Sequence, residues 1–125
     1  MRNMKQLCYT DEYGIQYWRN EQGDLNRLDG PALVYADGSA EWFLNGKRHR
    51  ENGPAYESSN GYKAWYVNGK RHRLDGAAVE GLSVKEWWVN GEQYSKNDFP
   101  IIVIKFLLNC DEKIAETILE LLNEI

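Results

Sequence analysis

The chain has only two cysteines in 125 residues, Cys8 and Cys110, one near each end. Two thiols without metal-ligand spacing supply neither a disulfide framework nor a metal site, so both are read as reduced. Also missing is any run of about eighteen apolar residues, and the opening Met-Arg-Asn-Met-Lys-Gln lacks the apolar stretch of a secretion signal. The expectation is a cytoplasmic protein with no transmembrane segment. No long basic stretch is present either. Residues 1–97 carry thirteen basic and thirteen acidic side chains, and the net charge of −4 arises beyond them, where two basic residues face six acidic ones. An array that is electrically balanced is a poor partner for a phosphate backbone, so nucleic acid is not expected as the principal ligand.

What the chain does have is aromatic residues, 13% of the total, within a hydrophobic content of 42% that excludes disorder and suits one domain. They recur. The block Asn-Gly-Lys-Arg-His-Arg stands at 45–50 and again at 68–73. Around it, Arg27, Arg50 and Arg73 are 23 residues apart, as are Asp29, Asn52 and Asp75, Gly30, Gly53 and Gly76, and Ala32, Ala55 and Ala78. Trp18, Trp42, Trp65 and Trp87 follow at 24, 23 and 22, so turns absorb changes of length and the Arg-x-Asp/Asn-Gly block does not. Self-similarity at this period marks an array of one supersecondary unit. Units fall near 16–41, 42–64 and 65–86, with a truncated fourth at 87–95 in which Tyr94 and Ser95 stand where His and Arg stood.

Each unit carries two strand signals. Ala64-Trp65-Tyr66-Val67 suits a pleated surface, and Asn68-Gly69 directly after it is the residue pair that a type I′ hairpin turn requires. The return Lys70-Arg71-His72-Arg73 meets Leu74-Asp75-Gly76, a second turn, and a further strand. Alternation puts Trp42 and Leu44 on one face with Phe43 on the other, and likewise Trp65 and Val67 against Tyr66, and Trp87 and Val89 against Trp88. Stacked units would align Trp18, Trp42, Trp65 and Trp87 in a shared interior. The second column, Phe43, Tyr66 and Trp88, is then either covered or used.

Beyond Asp98-Phe99-Pro100 the period changes. Ile101–Leu108 is apolar, and Ile114, Ile118, Leu121 and Ile125 are spaced 4, 3 and 4, a helical interval. With Asp98 as an N-cap ahead of Pro100, and Asp111 opening a second segment, the spacing predicts a helical hairpin over about 98–108 and 111–124. Such a pair hides the last edge of an array, and any apolar stripe it leaves uncovered could join two copies as a homodimer. The expected fold is mainly β, an antiparallel β-hairpin repeat array over residues 1–97 with a C-terminal α-helical hairpin cap over 98–125.

The run Trp-Phe-Leu-Asn-Gly-Lys-Arg-His-Arg-Glu-Asn-Gly-Pro-Ala-Tyr, followed by Asn-Gly before the next tryptophan, is similar to MORN repeats over about residues 16–95. It departs from them at Arg50 and Arg73, where a MORN unit usually has Gly. Its Arg-x-Asp-Gly-Pro-Ala extension resembles a variant of the repeat found in small bacteriophage proteins. The resemblance implies an antiparallel sheet used as a binding surface without catalytic machinery, with membrane lipids, protein partners or an antitoxin-like role among the associations of such arrays. It further implies, for a phage-encoded chain in the host cytoplasm, a host or defence protein that is blocked or redirected.

Candidate residues divide accordingly. His49 and His72, one repeat apart, would sit roughly 10 Å from each other, too far to share a metal, and are read as rings hydrogen-bonded in the turns. Neither has a nucleophile or partner visible in the sequence, so no enzyme activity and no cofactor are expected. Arg27, Arg50 and Arg73, each two residues before Asp29, Asn52 or Asp75, suit a repeated clasp between turns. Lys47 and Lys70 read as guards of a strand edge, while Arg48 and Arg71 stay open between that role and binding. Partner binding is assigned to the aromatic column Phe43, Tyr66 and Trp88 with Arg48 and Arg71, because aromatic and Arg side chains dominate interface hot spots. The alternative is an anionic small ligand or lipid headgroup on the Lys/Arg row, with salt-sensitive binding.

Overall fold

The computed structural model describes residues 7–125. Among them the strands are β1 (Leu7–Thr10), β2 (Gln16–Arg19), β3 (Leu33–Val34), β4 (Ala40–Glu41), β5 (Phe43–Leu44), β6 (Lys47–Arg48) and β7 (Tyr56–Glu57). They continue as β8 (Lys63–Ala64), β9 (Tyr66–Val67), β10 (Lys70–Arg71), β11 (Val79–Glu80), β12 (Lys85–Val89) and β13 (Glu92–Tyr94), ahead of helices α1 (Phe99–Leu108) and α2 (Glu112–Asn123). Nine strands make one antiparallel sheet in the order β1-β2-β3-β4-β7-β8-β11-β12-β13, while β5–β6 and β9–β10 stand out from it as separate hairpins. The chain is thus mainly antiparallel β hairpins with two C-terminal helices. The first strand precedes every repeated motif and was not expected; it pairs along β2, with Tyr9 stacked on Tyr17 at 4.9 Å.

The hairpins form where the sequence demands positive φ. Asn45 and Gly46 have φ of 49° and 81°, Asn68 and Gly69 51° and 80°, Asn90 and Gly91 51° and 83°, the conformation of a type I′ turn. Each hairpin is tied to the unit before it. Gly46 N–H donates to the Leu25 carbonyl (2.9 Å), Gly69 to Arg48 (2.8 Å) and Gly91 to Arg71 (2.9 Å). Arg27, Arg50 and Arg73 N–H donate to the carbonyls of Phe43, Tyr66 and Trp88 at 3.0–3.1 Å. A second hydrogen-bonded row therefore runs beside the nine-stranded sheet.

Tryptophan is where the chain passes from one row to the other. The N–H of Trp18, Trp42 and Trp65 donates to Ala32, Ala55 and Ala78, and their carbonyls accept from Asn26, His49 and His72. The alanines at these crossings are fully buried. With Leu33, Ala64, Ala77, Val79 and Val89 they form the buried core of the β hairpins. This corrects the expected interior: Trp18, Trp42, Trp65 and Trp87 are half-buried, not buried. Where two backbone rows diverge at every unit there is room between them for a methyl group, and the indoles lie at the margin.

Three of those indoles are covered by a cation. The guanidinium carbon of Arg27 lies 4.1 Å from the Trp18 ring centroid, that of Arg50 4.0 Å from Trp42, and that of Arg73 3.8 Å from Trp65. The opposite face is closed by glycine. A Cβ built on Gly30, Gly53 or Gly76 would meet the same guanidinium carbon at 2.7, 2.9 and 3.0 Å, nearer than either nitrogen, which places it over the flat face. Nη1 donates to the carbonyls of Pro31, Pro54 and Ala77, satisfying the turn. Nε of Arg27 and Arg73 reaches Asp29 and Asp75, a contact that Arg50 lacks with Asn52 in that place, and Nη1 of Arg50 and Arg73 also reaches Glu57 and Glu80. Asp29 and Asp75 are solvent-exposed, and exposed ion pairs contribute little, so stacking and the carbonyl bond carry the clasp.

The helices follow the last strand, β13, and pack beside β12. Phe106 packs its ring on His72 at 5.1 Å, and Ile102, Lys105 and Phe106 face Val89, Asn90 and Tyr94 across a cavity. Val89 and Trp88 project to opposite faces of β12, so this is the face away from Trp88. Asp111 caps α2 by accepting from Ile114 N–H at 2.9 Å. Asp98 occupies the N-cap of α1 but its carboxylate makes no cap bond, because its backbone is already helical (φ −83°, ψ −18°) and its N–H is held by Ser95 Oγ.

The clasp predicts a thermodynamic coupling. Gly53→Ala is expected to destabilise the fold by about 1–3 kcal/mol, as overpacking does, because the indole behind Arg50 denies the guanidinium a retreat. In an Arg50→Ala background the same change should cost at least about 0.5 kcal/mol less. Urea unfolding of the two single variants and the double variant measures this, and strict additivity would show that Gly53 is not there for Arg50.

Candidate protein-binding face

The second column stands on the hairpin strands and on β12. Register places Phe43 opposite Arg48, and Tyr66 opposite Arg71. The bonds between rows put Arg48 beside Tyr66, and Arg71 beside Trp88. Aromatic and guanidinium groups therefore alternate as Phe43, Arg48, Tyr66, Arg71, Trp88. The Arg48 guanidinium lies 5.8 Å from the Phe43 ring centroid and 5.5 Å from Tyr66, and that of Arg71 lies 5.0 Å from Trp88. All five residues assigned to partner binding meet on one face, which keeps its three aromatic rings half-buried.

Two glutamates outside the column stand beside its arginines, Glu41 beside Arg48 and Glu86 beside Arg71. Glu41 is buried and accepts from Arg48 Nε at 2.7 Å and from the Tyr35 hydroxyl at 2.6 Å. Burial, then the Glu41 hydrogen bond, push the Tyr35 phenol up to about 12, so it remains a donor. Burial is the largest influence on Arg48 and works against its charge, but the hydrogen bond to Glu41, the Glu41 charge and the nearby phenols of Tyr66 and Tyr35 together outweigh it and raise the guanidinium's pKa. Arg71 donates through Nε to the Tyr66 hydroxyl at 3.3 Å, which raises its pKa, and stands 3.8 Å from Glu86. Glu86 accepts from the Trp88 indole N–H at 2.8 Å. Lys47 and Lys70 lay their aliphatic stems near the next turn, at Gly69 and Gly91, and among the described residues neither pairs with a carboxylate.

Histidine serves the array and not this face. His49 Nδ1 accepts from Asn68 N–H at 3.0 Å, and His72 Nδ1 from Asn90 N–H at 2.9 Å. The first unit makes the same bond with a different side chain: Asn26 Oδ1 accepts from Asn45 N–H at 2.8 Å. Asn26 is 23 residues before His49, and that spacing was the signal for it. Among the described residues no group of three or more His, Cys, Asp or Glu is placed to hold a metal ion, and no helix is long and apolar enough to cross a membrane. Cys8 and Cys110 are free thiols. No protein-family model, curated protein or solved structure matches the chain.

Because its Nδ1 is an acceptor, His72 must be neutral to hold the turn at Asn90, and burial lowers its pKa below the ordinary 6.5. A depressed value means that the unfolded chain takes up the proton more readily. The contribution to stability is then complete above about pH 6.5 and is lost as pH falls through the folded-state value. Thermal unfolding between pH 7.5 and 5.5 should show a larger loss for the native chain than for His72→Asn, which carries the acceptor of the first unit. Equal losses would relieve His72 of this role.

Proposed function

We propose that the chain is a non-catalytic protein-binding module, a MORN-like hairpin array that captures a protein partner through the face built from Phe43, Arg48, Tyr66, Arg71 and Trp88. The observation that carries this reading is the alternation of ring and guanidinium across adjacent strands, with both guanidinium groups beside a carboxylate. Large aromatic and Arg groups with little freedom left to lose are the composition and the state of interface hot spots. The cap supports it by lying at the face away from Trp88, leaving this one open. A host or defence protein as the partner follows from the likeness of the repeat to phage proteins, and a host-modulating or counter-defence inhibitor is the role it would then have. Binding of an anionic ligand along the whole Lys/Arg row, Arg27, Arg50 and Arg73 with Lys47, Arg48, Lys70 and Arg71, is disfavoured, since all five of its arginines already lie within ion-pair distance of a carboxylate.

Replacing Tyr66 and Trp88 together by Ala should weaken partner capture by roughly 30-fold or more, as loss of about 2 kcal/mol or more at a hot spot implies. The circular dichroism spectrum should stay native, because neither residue belongs to the buried core. Quantitative capture from host lysate by both proteins, side by side, provides the measurement; equal recovery of the same partner by the variant removes this face.

A further inference from the structure

One position on this face breaks the repeat. Cross-strand register aligns Leu33, Glu41, Tyr56, Ala64, Val79 and Glu86 in a single row over β3, β4, β7, β8, β11 and β12. Glu41, Ala64 and Glu86 are the residues that directly precede Trp42, Trp65 and Trp87, so Ala64 stands where the units on either side have glutamate. The consequences are local. Arg48 has the glutamate seven residues before it at 2.7 Å, whereas Arg71, with Ala64 in the equivalent place, donates instead to a neutral phenol and reaches forward to Glu86 at 3.8 Å. Without a carboxylate at position 64, a recess of about 350 Å³ opens between Tyr35, Glu41, Arg48, Tyr56, Tyr62, Ala64 and Tyr66.

The recess offers donors. The Tyr56 and Tyr62 hydroxyls bond to no other described residue, and no buried polar side-chain atom lacks a partner, so both reach solvent. The Tyr66 hydroxyl accepts from Arg71 and keeps its own proton to give. Arg48 makes its one bond through Nε, leaving its two terminal nitrogens without a partner among the described residues. Arg48 is already matched by Glu41, which also lines the recess, so neither a free cation nor a dianion meets an uncompensated charge there. A single carboxylate needs no surplus charge, only convergent N–H and O–H donors, and a guanidinium fork matches its two oxygens.

We propose that this recess receives an Asp or Glu side chain from an extended acidic segment of the protein partner, whose carboxylate takes the place that the glutamate of a regular repeat would fill at position 64. The inference rests on the protein-binding role proposed above and gives it a chemistry. It differs from that role in depending on Ala64 and Tyr62, which lie outside the five face residues.

The test uses the full chain and a defined probe, an eight-residue blocked peptide alternating Ser and Glu, with its Ser/Gln counterpart, inorganic phosphate and anionic phosphatidylglycerol vesicles as separate arms. Binding is followed by NMR titration of the Arg48 and Arg71 Nε–H signals. The Glu peptide should shift both signals in the native chain, with the Gln peptide at least about tenfold weaker, since a charge-assisted bond is replaced by a neutral one. Ala64→Glu, which supplies the missing carboxylate from within, should abolish the shift. Tyr62→Phe breaks no bond within the protein and should weaken binding severalfold, so the proposal remains testable if Ala64→Glu does not fold. Native affinity in Tyr62→Phe or in folded Ala64→Glu, equal binding of the Gln peptide, or a response to phosphate or vesicles in place of the Glu peptide would each overturn it. So would no response to any arm. If partner capture falls in Tyr66→Ala/Trp88→Ala but is untouched in Tyr62→Phe and Ala64→Glu, the recess is wrong and the face stands; if none of these variants alters capture, both are wrong.

Discussion

A guanidinium held between an indole and a glycine is the contact on which this chain is organised. Arg27, Arg50 and Arg73 each take it up, and each also ties down the carbonyl of the turn that follows. The geometry leaves no latitude within the Arg-x-Asp/Asn-Gly block. Two residues separate the arginine from the glycine whose missing Cβ makes room for it, and one added residue would bring a side chain there. Length is free to vary only where the chain is turning in solvent, which is where the tryptophan spacing drifts from 24 to 22.

The clasp also explains how a protein of this size stands on so small a core. Its fully or nearly buried apolar residues are mostly alanines, which bury little area apiece. Flat surfaces stacked on one another supply contact that a column of methyl groups does not, and acceptors at Asn26, His49 and His72 bind each hairpin to the unit before it. The ends are different. The fourth indole, Trp87, has no guanidinium of a described residue upon it and is paired with Tyr94 along β13, and the helices take over beyond that point.

The elements whose chemistry is local were legible in the sequence. Asn-Gly pairs announce type I′ turns because few other residues tolerate positive φ twice in succession, and Asp111 followed by an apolar 4-3-4 spacing announces a capped helix. Alternation correctly separated Trp87 and Val89 from Trp88. It could not tell depth: a period of two assigns a side chain to a face but not to the middle or the margin of that face, so the indoles were expected inside and lie at the edge. The stacking of Arg50 on Gly53 was hidden for another reason, since a glycine beside a turn is ordinarily explained by its backbone freedom, and here φ is not positive and the space is what matters. Glu41 and Glu86 escaped notice because Ala64 between them breaks their period.

That interruption bears on how the face would work. Repeat proteins that bind usually do so where the repeat is not identical, because identical units present the same surface many times and distinguish nothing. The face here is largely assembled in advance: Glu41 orients Arg48, Tyr66 engages Arg71, and Glu86 holds the Trp88 indole. Ordering these side chains ahead of association lowers the entropy that a partner must overcome. Against that regular background the absence of one carboxylate leaves an arginine with a weaker companion and hydroxyls with none, and specificity follows more readily from one such imbalance than from the columns on either side of it.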